Sequence, residues 1–429
     1  MTRRSLLFGL FNLMLFLMII TFCEGVLQIK WAYFADEALL CISTLIIVGH
    51  VTFFSKSKAG KALLVLLLLY TLIQLVNYFM SPYQLKFIFT FGQALINLKV
   101  VVVPLAFCII HNSIRIRRIL IRRFLQVLIL LFFLGLILNI VFQKEWNLLL
   151  GWKVEYRYGF LRMAGWFGGT HYLGYFFTLV TLVLWMSFSL RRKGVLTWRF
   201  YLFYSIVQVL ISFPLTIRKG LVSIISLIYH NLVSSNLTRF IRISVITFLF
   251  GLSFYLFVGD SAYVADTKLD MLRMTNNDDD NYYIRGLMVY NGAALAISHF
   301  PFGVGAATFG TVLSKYNTLE VYQKVNIPSF WYEGEDLSGV YDSGFFSLLA
   351  ENGFFGIIVM ILIVYYLYQL MIRQLNQNGV AILRVLFVTM AIWSITEPVI
   401  QNGIFTVIFS SLCIFILSEN RVLESTESA

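Results

Sequence analysis

Four stretches of this 429-residue chain hold side chains whose types and spacing could do chemistry. The first runs from Arg157 through Arg162, Gly165 and Phe167 to His171. The second is Thr216-Ile217-Arg218-Lys219-Gly220. The third opens at Arg285 and leads to Pro301, Gly303 and Gly305, and the fourth runs from Asp342 through Glu351 and Gly353 to Gly356. Arginine offers a planar fork of donors that grips phosphate oxygens and keeps its proton. Preorganised cations of this kind stabilise the growing charge on a departing pyrophosphate without a metal. Asp342 could take a proton from an attacking hydroxyl. Each residue also has a plainer reading: Arg162 as a snorkelling side chain, Arg285 as a solvated helix charge, Asp342 as a helix cap, His171 as a packed histidine.

The elements that must position these residues follow from composition. Hydrophobic residues make up 59% of the chain and charged ones 13%. That leaves apolar residues for about twelve membrane-spanning helices of about 20 residues each. An average soluble domain is about a quarter charged, so a cytoplasmic globular protein is excluded, and so are disordered and fibrous classes. No alternating ten-residue pattern of an outer-membrane barrel occurs, so the expected fold class is all-α, a polytopic helical membrane protein. Cys23, Cys41, Cys108 and Cys413 lie in or beside apolar runs and suggest neither disulfides nor a metal cluster. The basic start, followed by a long apolar run without a small-residue cleavage site, reads as an uncleaved first span.

Spans are expected near 5–23, 33–54, 62–80, 87–111, 124–143, 172–190, 200–217, 220–234, 240–258, 343–370, 380–397 and 401–418. Placing Arg3 and Arg4 inside puts Lys56, Lys58 and Lys61 inside as well, with Arg115 to Arg123, Arg191 to Arg199, Arg239, Arg242 and Arg373. None of those loops contains Asp or Glu, which is the positive-inside pattern with both termini cytoplasmic. The net charge of +12 therefore describes orientation in a membrane and not a nucleic-acid partner. Arg218 and Lys219 then fall outside, against the rule. Lys99 falls within the fourth span, where a charge needs a wet cavity or a partner such as Asp36.

This layout divides the chain into 1–258 with nine spans, 259–342 as one large outer-face loop, and 343–429 with three spans and a short tail. The loop holds eleven acidic and five basic residues, and contains Asp278 to Asp280, read as a solvated turn. Its periodicity predicts a helix near 282–299 with Tyr283, Leu287, Val289, Tyr290, Ala294 and Ile297 toward one side. A loop of this length inside a compact fold is usually functional.

Taken in order, the four stretches resemble the bacterial O-antigen polymerases and O-antigen ligases over roughly residues 155–360. Arg162, Gly165 and Phe167 match the family's Arg-x-x-Gly-x-Phe segment. Thr216, Arg218 and Gly220 match its helix-end motif, Arg285 with Pro301 and Gly303 its outer loop, and Glu351, Gly353 and Gly356 its last motif. Thr170 and His171 stand where the family often has Pro-Asn. Asp342 and Ser343 stand where ligases usually have His-Asn, which moves the expectation toward a polymerase.

The resemblance implies a glycosyltransferase at the outer face of the bacterial inner membrane, assembling O-antigen, capsule or exopolysaccharide. It would transfer a glycan chain from undecaprenyl pyrophosphate onto a lipid-linked repeat unit. Arg218 and Arg285 would grip the donor pyrophosphate and Asp342 would activate the acceptor. Arg162, Lys219, His171 and Arg157 would line the same site. No metal and no other cofactor is expected. The partners would be lipid-linked oligosaccharide, the membrane and a chain-length regulator. The rivals are an O-antigen ligase with a lipid A-core acceptor, and a flippase or other transporter of lipid-linked oligosaccharide, which Lys99 keeps open.

Overall fold

A computed structural model of the chain describes residues 3–27, 34–55, 57–114, 116–152, 154, 156–157, 160–167, 169–193, 198–212, 223–227, 284–327, 329, 332 and 344–420. The architecture is all-α and is that of a helical membrane protein. Six described helices are long and apolar enough to cross a membrane, seven if one bent pair is a single span.

The helices are α1 (Arg3–Phe22), α2 (Glu24–Leu27), α3 (Ala35–Gly49), α4 (Val51–Ser55), α5 (Lys58–Met80), α6 (Phe87–Asn97), α7 (Lys99–Ile114) and α8 (Arg118–Leu149). A two-residue antiparallel pair, β1 (Tyr156–Arg157) with β2 (Phe160–Leu161), precedes α9 (Thr170–Lys193) and α10 (Trp198–Ser212). Then come α11 (Ile284–Ser298), α12 (Ser314–Asn317), α13 (Glu320–Lys324), α14 (Gly344–Ile372), α15 (Gln377–Thr396) and α16 (Gly403–Glu419).

Side-chain oxygens set several of the starts. Ser57 Oγ accepts from Gly60 N at 2.9 Å, Asn376 Oδ1 from Gly379 N at 2.9 Å, and Asn402 Oδ1 from Phe405 N at 2.8 Å. Each cap satisfies a backbone donor that the first helical turn leaves free. Helix α7 sits at the centre between α3 and α16, and every residue from Lys99 to His111 in it is buried. Around it, apolar side chains such as Leu45, Leu68, Leu130, Ile137 and Ile358 point outward. Exposed apolar surface on long helices is what a lipid solvent permits.

The fourth expected span is not straight. Helices α6 and α7 meet at Leu98 with a bend of 59°, so Lys99 opens α7 and does not interrupt a continuous helix. Helix α14 is also broken, at Gly353, whose φ of 62° and ψ of −175° lie outside the helical region.

Part of the segment expected as a soluble loop packs into the bundle. Helix α11 lies against α14, with the Gly292 backbone so close to Phe346 that a Cβ there would stand 2.7 Å from its carbonyl oxygen. The packed face of α11 is Ile284, Met288, Asn291, Leu295 and Ala296, while Val289, Tyr290, Ala294 and Ile297 are exposed. The face grouped by periodicity is therefore the outward one. Ile284, Met288, Asn291 and Leu295 follow the same helical spacing, and Gly292 allows the close approach that decides between them.

Candidate functional site

The first motif segment is held by side chains of α8. Asn139 Oδ1 accepts from Ala164 N at 2.8 Å and Gly165 N at 3.0 Å. Trp146 Nε1 donates to Gly165 O at 2.6 Å, and Asn147 Nδ2 donates to Arg162 O at 2.7 Å. Gly165 takes φ +61°, a conformation that side chains with Cβ avoid. Phe167 then inserts beside Phe22, with ring centroids 4.7 Å apart. The chain emerges from these fastenings directly into α9, whose first turn presents His171 and Tyr172.

Those two residues form one wall of a cavity of about 550 Å³. Glu24 of α2, Asp36 and Glu37 of α3, and Lys99 of α7 stand on it, with Gln401 and Asn402 from the turn before α16. Phe167, Leu150, Ile96 and Ile404 supply its apolar surface. Lys99 Nζ donates to Asp36 Oδ2 in an ion pair whose side chains are 3% and 13% exposed. Gly403 lets Asp36 approach the start of α16, since a Cβ at that position would overlap the Asp36 carboxylate. Burial, with a smaller contribution from nearby Asp36 and opposed by Lys99, pushes the Glu24 carboxyl up to about 7. Just behind the wall, Tyr175 Oη donates to Glu397 Oε2 at 2.8 Å.

The third and fourth motifs form a clasp distinct from this cavity. Val304 N donates to Ala350 O at 2.9 Å, Gly305 N to Glu351 O at 3.0 Å, and Phe355 N to Pro301 O at 3.2 Å. Gly303 has φ +82°, and a Cβ on it would stand 2.5 Å from Ala350 O. A Cβ on Gly353 would overlap Pro301 O and Phe302 C. The fully buried Glu351 Oε1 accepts from Thr308 N at 2.7 Å, Phe309 N at 2.9 Å and the Thr311 hydroxyl. Its partners are backbone and hydroxyl donors. Next to it, Asn352 Oδ1 accepts from Gln74 Nε2 at 2.7 Å and Tyr70 Oη at 3.1 Å, which ties the clasp to α5.

Of the residues expected at the site, His171 is on the cavity wall. Arg162 lies five residues before Phe167, half-buried and off the cavity lining. Arg157 is in β1 and Arg285 in the first turn of α11, with both side chains outside the described residues. Arg218, Lys219 and Asp342 lie outside the described residues altogether, as do Thr216, Gly220 and Asp278 to Asp280. Sequence reasoning singled out neither Glu24, Glu37 nor Gln401. The available signal was that Glu24, Asp36 and Glu37 flank the first expected outer loop, on the side of the membrane assigned to His171. Among the described residues no group of three or more His, Cys, Asp or Glu could hold a metal ion.

The fold and this cavity define a helical membrane protein with a charged, partly apolar site among several helix ends. The chain matches no protein-family model and no curated protein.

Proposed function

We propose that the protein is a surface-polysaccharide polymerase of the bacterial inner membrane, with its site on the outer face. It transfers a glycan chain from undecaprenyl pyrophosphate to a lipid-linked repeat unit. Twelve spans with both termini cytoplasmic are part of this reading, with 259–342 between spans nine and ten. Arg218 and Arg285 grip the donor pyrophosphate, Arg162, Lys219 and Arg157 line the path, and Asp342 takes the acceptor proton.

One observation chiefly supports the reading. The motifs that carry the resemblance behave as built units: Pro301 to Gly305 interlocks with Ala350 to Phe355 across about fifty residues of chain. The Arg162 to Phe167 segment is likewise fastened at four backbone positions and delivers His171 to the cavity. Gly165, Gly303 and Gly353 each take a positive φ or a close backbone approach that a Cβ would obstruct, which gives those motif positions a physical reason.

A deletion strain tests it. Loss of a polymerase leaves single repeat units on the surface glycan, wild-type chain restores the ladder, and Arg218→Ala restores none while its protein level stays normal. A full ladder from Arg218→Ala would overturn the donor assignment. Long lipid-linked polymer left unattached in the deletion strain would make the protein a ligase. Repeat units stranded on the cytoplasmic side would make it a transporter, the reading that the broken α6–α7 pair and the Lys99–Asp36 ion pair favour.

A further inference from the structure

The cavity lined by Glu24, Asp36, Glu37 and Lys99 is poorly suited to the anionic donor. Three carboxylates face one ammonium, and that ammonium is already engaged by Asp36. An entering pyrophosphate would find that lysine already engaged, and its own uncompensated charge in a low-dielectric site is costly.

Two wall atoms identify what would fit instead. Gln401 is 5% exposed, and its Nε2 donor is buried with no hydrogen-bond partner among the described residues. Glu37 Oε2, an acceptor on the same lining, is likewise buried and unpartnered. An orphaned buried polar atom carries a desolvation cost that a ligand can relieve. An ammonium can satisfy the carboxylate but offers nothing to the amide donor. An ionised carboxylate or phosphate can satisfy the amide but has no proton to offer the Glu37 oxygen. A hydroxyl both donates and accepts, so a polyhydroxylated ligand answers both atoms. Phe167 and Tyr172 on the same lining add aromatic surface suited to the C–H groups of a sugar. The volume of about 550 Å³ falls in the range of small-ligand sites.

We infer that this cavity is a saccharide-binding site that takes uncharged sugar residues through Gln401 and Glu37, and that it holds the sugar end of the acceptor repeat unit away from the donor pyrophosphate. The second half of that statement rests on the polymerase reading; the first does not. Glu37 accepts a hydroxyl proton in a hydrogen bond, Gln401 donates to a hydroxyl or ring oxygen, and Lys99 keeps Asp36 in place.

The test uses the full chain in lipid nanodiscs and, as probe, the repeat-unit oligosaccharide of the producing strain, freed from its lipid by mild acid. Saturable binding is expected, weakened about tenfold or more by Gln401→Leu and by Glu37→Leu, since each removes one buried hydrogen bond to the ligand. Inorganic pyrophosphate should not displace the oligosaccharide. Gln401→Leu should not lower the thermal midpoint of the empty protein, because its buried Nε2 has no partner to lose among the described residues; a structural role would lower it. Should Gln401→Leu fail to fold, Glu37→Leu decides alone. Absence of binding, equal binding by folded variants, or displacement by pyrophosphate would overturn the inference. Cavity-dependent binding alongside a normal ladder in the deletion strain would keep the saccharide site and remove the polymerase reading. A lost ladder with cavity-independent binding would do the reverse.

Discussion

Glu351 shows how a charged side chain inside an apolar helix can be wholly structural. One of its oxygens gathers two backbone donors and a hydroxyl from the Thr308 to Thr311 turn. Glu351→Gln keeps that acceptor, so near-wild-type melting and a normal glycan ladder are expected. Glu351→Ala leaves those donors buried and unmet at about 1–3 kcal/mol each, and the folded yield should collapse. Lys99 and Asp36 form the complementary case, an ion pair whose partners cannot be removed singly. Lys99→Met leaves a carboxylate without its cation and should cost about 3–5 kcal/mol, while adding Asp36→Leu should recover most of it in a double-mutant cycle. The need for a Lys99 partner was legible in the sequence, because a cation in an apolar run demands one. Gln401 was not, since an amide next to a helix start looks like any turn residue until its surroundings are known. Glu24 adds a pH signature. Its folded value of about 7 lies above the ordinary carboxylate value of 4.5, so the folded state holds the proton more tightly than the unfolded one. Its contribution to stability therefore falls as pH rises from about 4.5 to about 7. Glu24→Gln should flatten the pH dependence of the melting temperature across that window; an unchanged slope would mean that Glu24 does not titrate there.

At the scale of elements, apolar run length placed helices correctly where lipid or core demands them, as in α1, α5, α9, α14 and α15. It could not show the bend between α6 and α7 or the break in α14, because both arise from tertiary contacts. Gly353 leaves helical geometry so that the Pro301 to Gly303 turn can lie against it. Gly353→Ala sets a Cβ into that turn in a backbone conformation that L residues disfavour, and Gly303→Ala does the same from the opposite side. Either change should unseat the clasp, giving markedly less folded protein in detergent. The pair together should cost less than the sum of the singles, since they damage one contact. The sequence grouped the outward residues of α11 without saying which face packs, for a related reason. Its apolar residues surround the helix, and periodicity alone does not say which stripe meets protein and which meets lipid or water.

Across the whole molecule, charge sorts the helix ends into two groups. Arg122 at the start of α8 and Arg191 at the end of α9 both grip Glu419, the last residue of α16. Glu24, Asp36, Lys99, His171 and Gln401 lie together at the opposite ends of α1, α3, α7, α9 and α16. This division agrees with the alternation read from Lys and Arg in the sequence. Arg218 and Asp342, on which the proposed chemistry rests, lie outside the described residues. The central claim is polymer formation, and reconstitution reads it without the cell. The full chain in lipid vesicles, supplied only with the undecaprenyl-pyrophosphate-linked repeat unit of its strain, should build a ladder of glycans and release undecaprenyl pyrophosphate in step with it. The Arg218→Ala chain should do neither. Repeat units that remain single, with wild-type protein folded and substrate on the accessible face, would contradict the account.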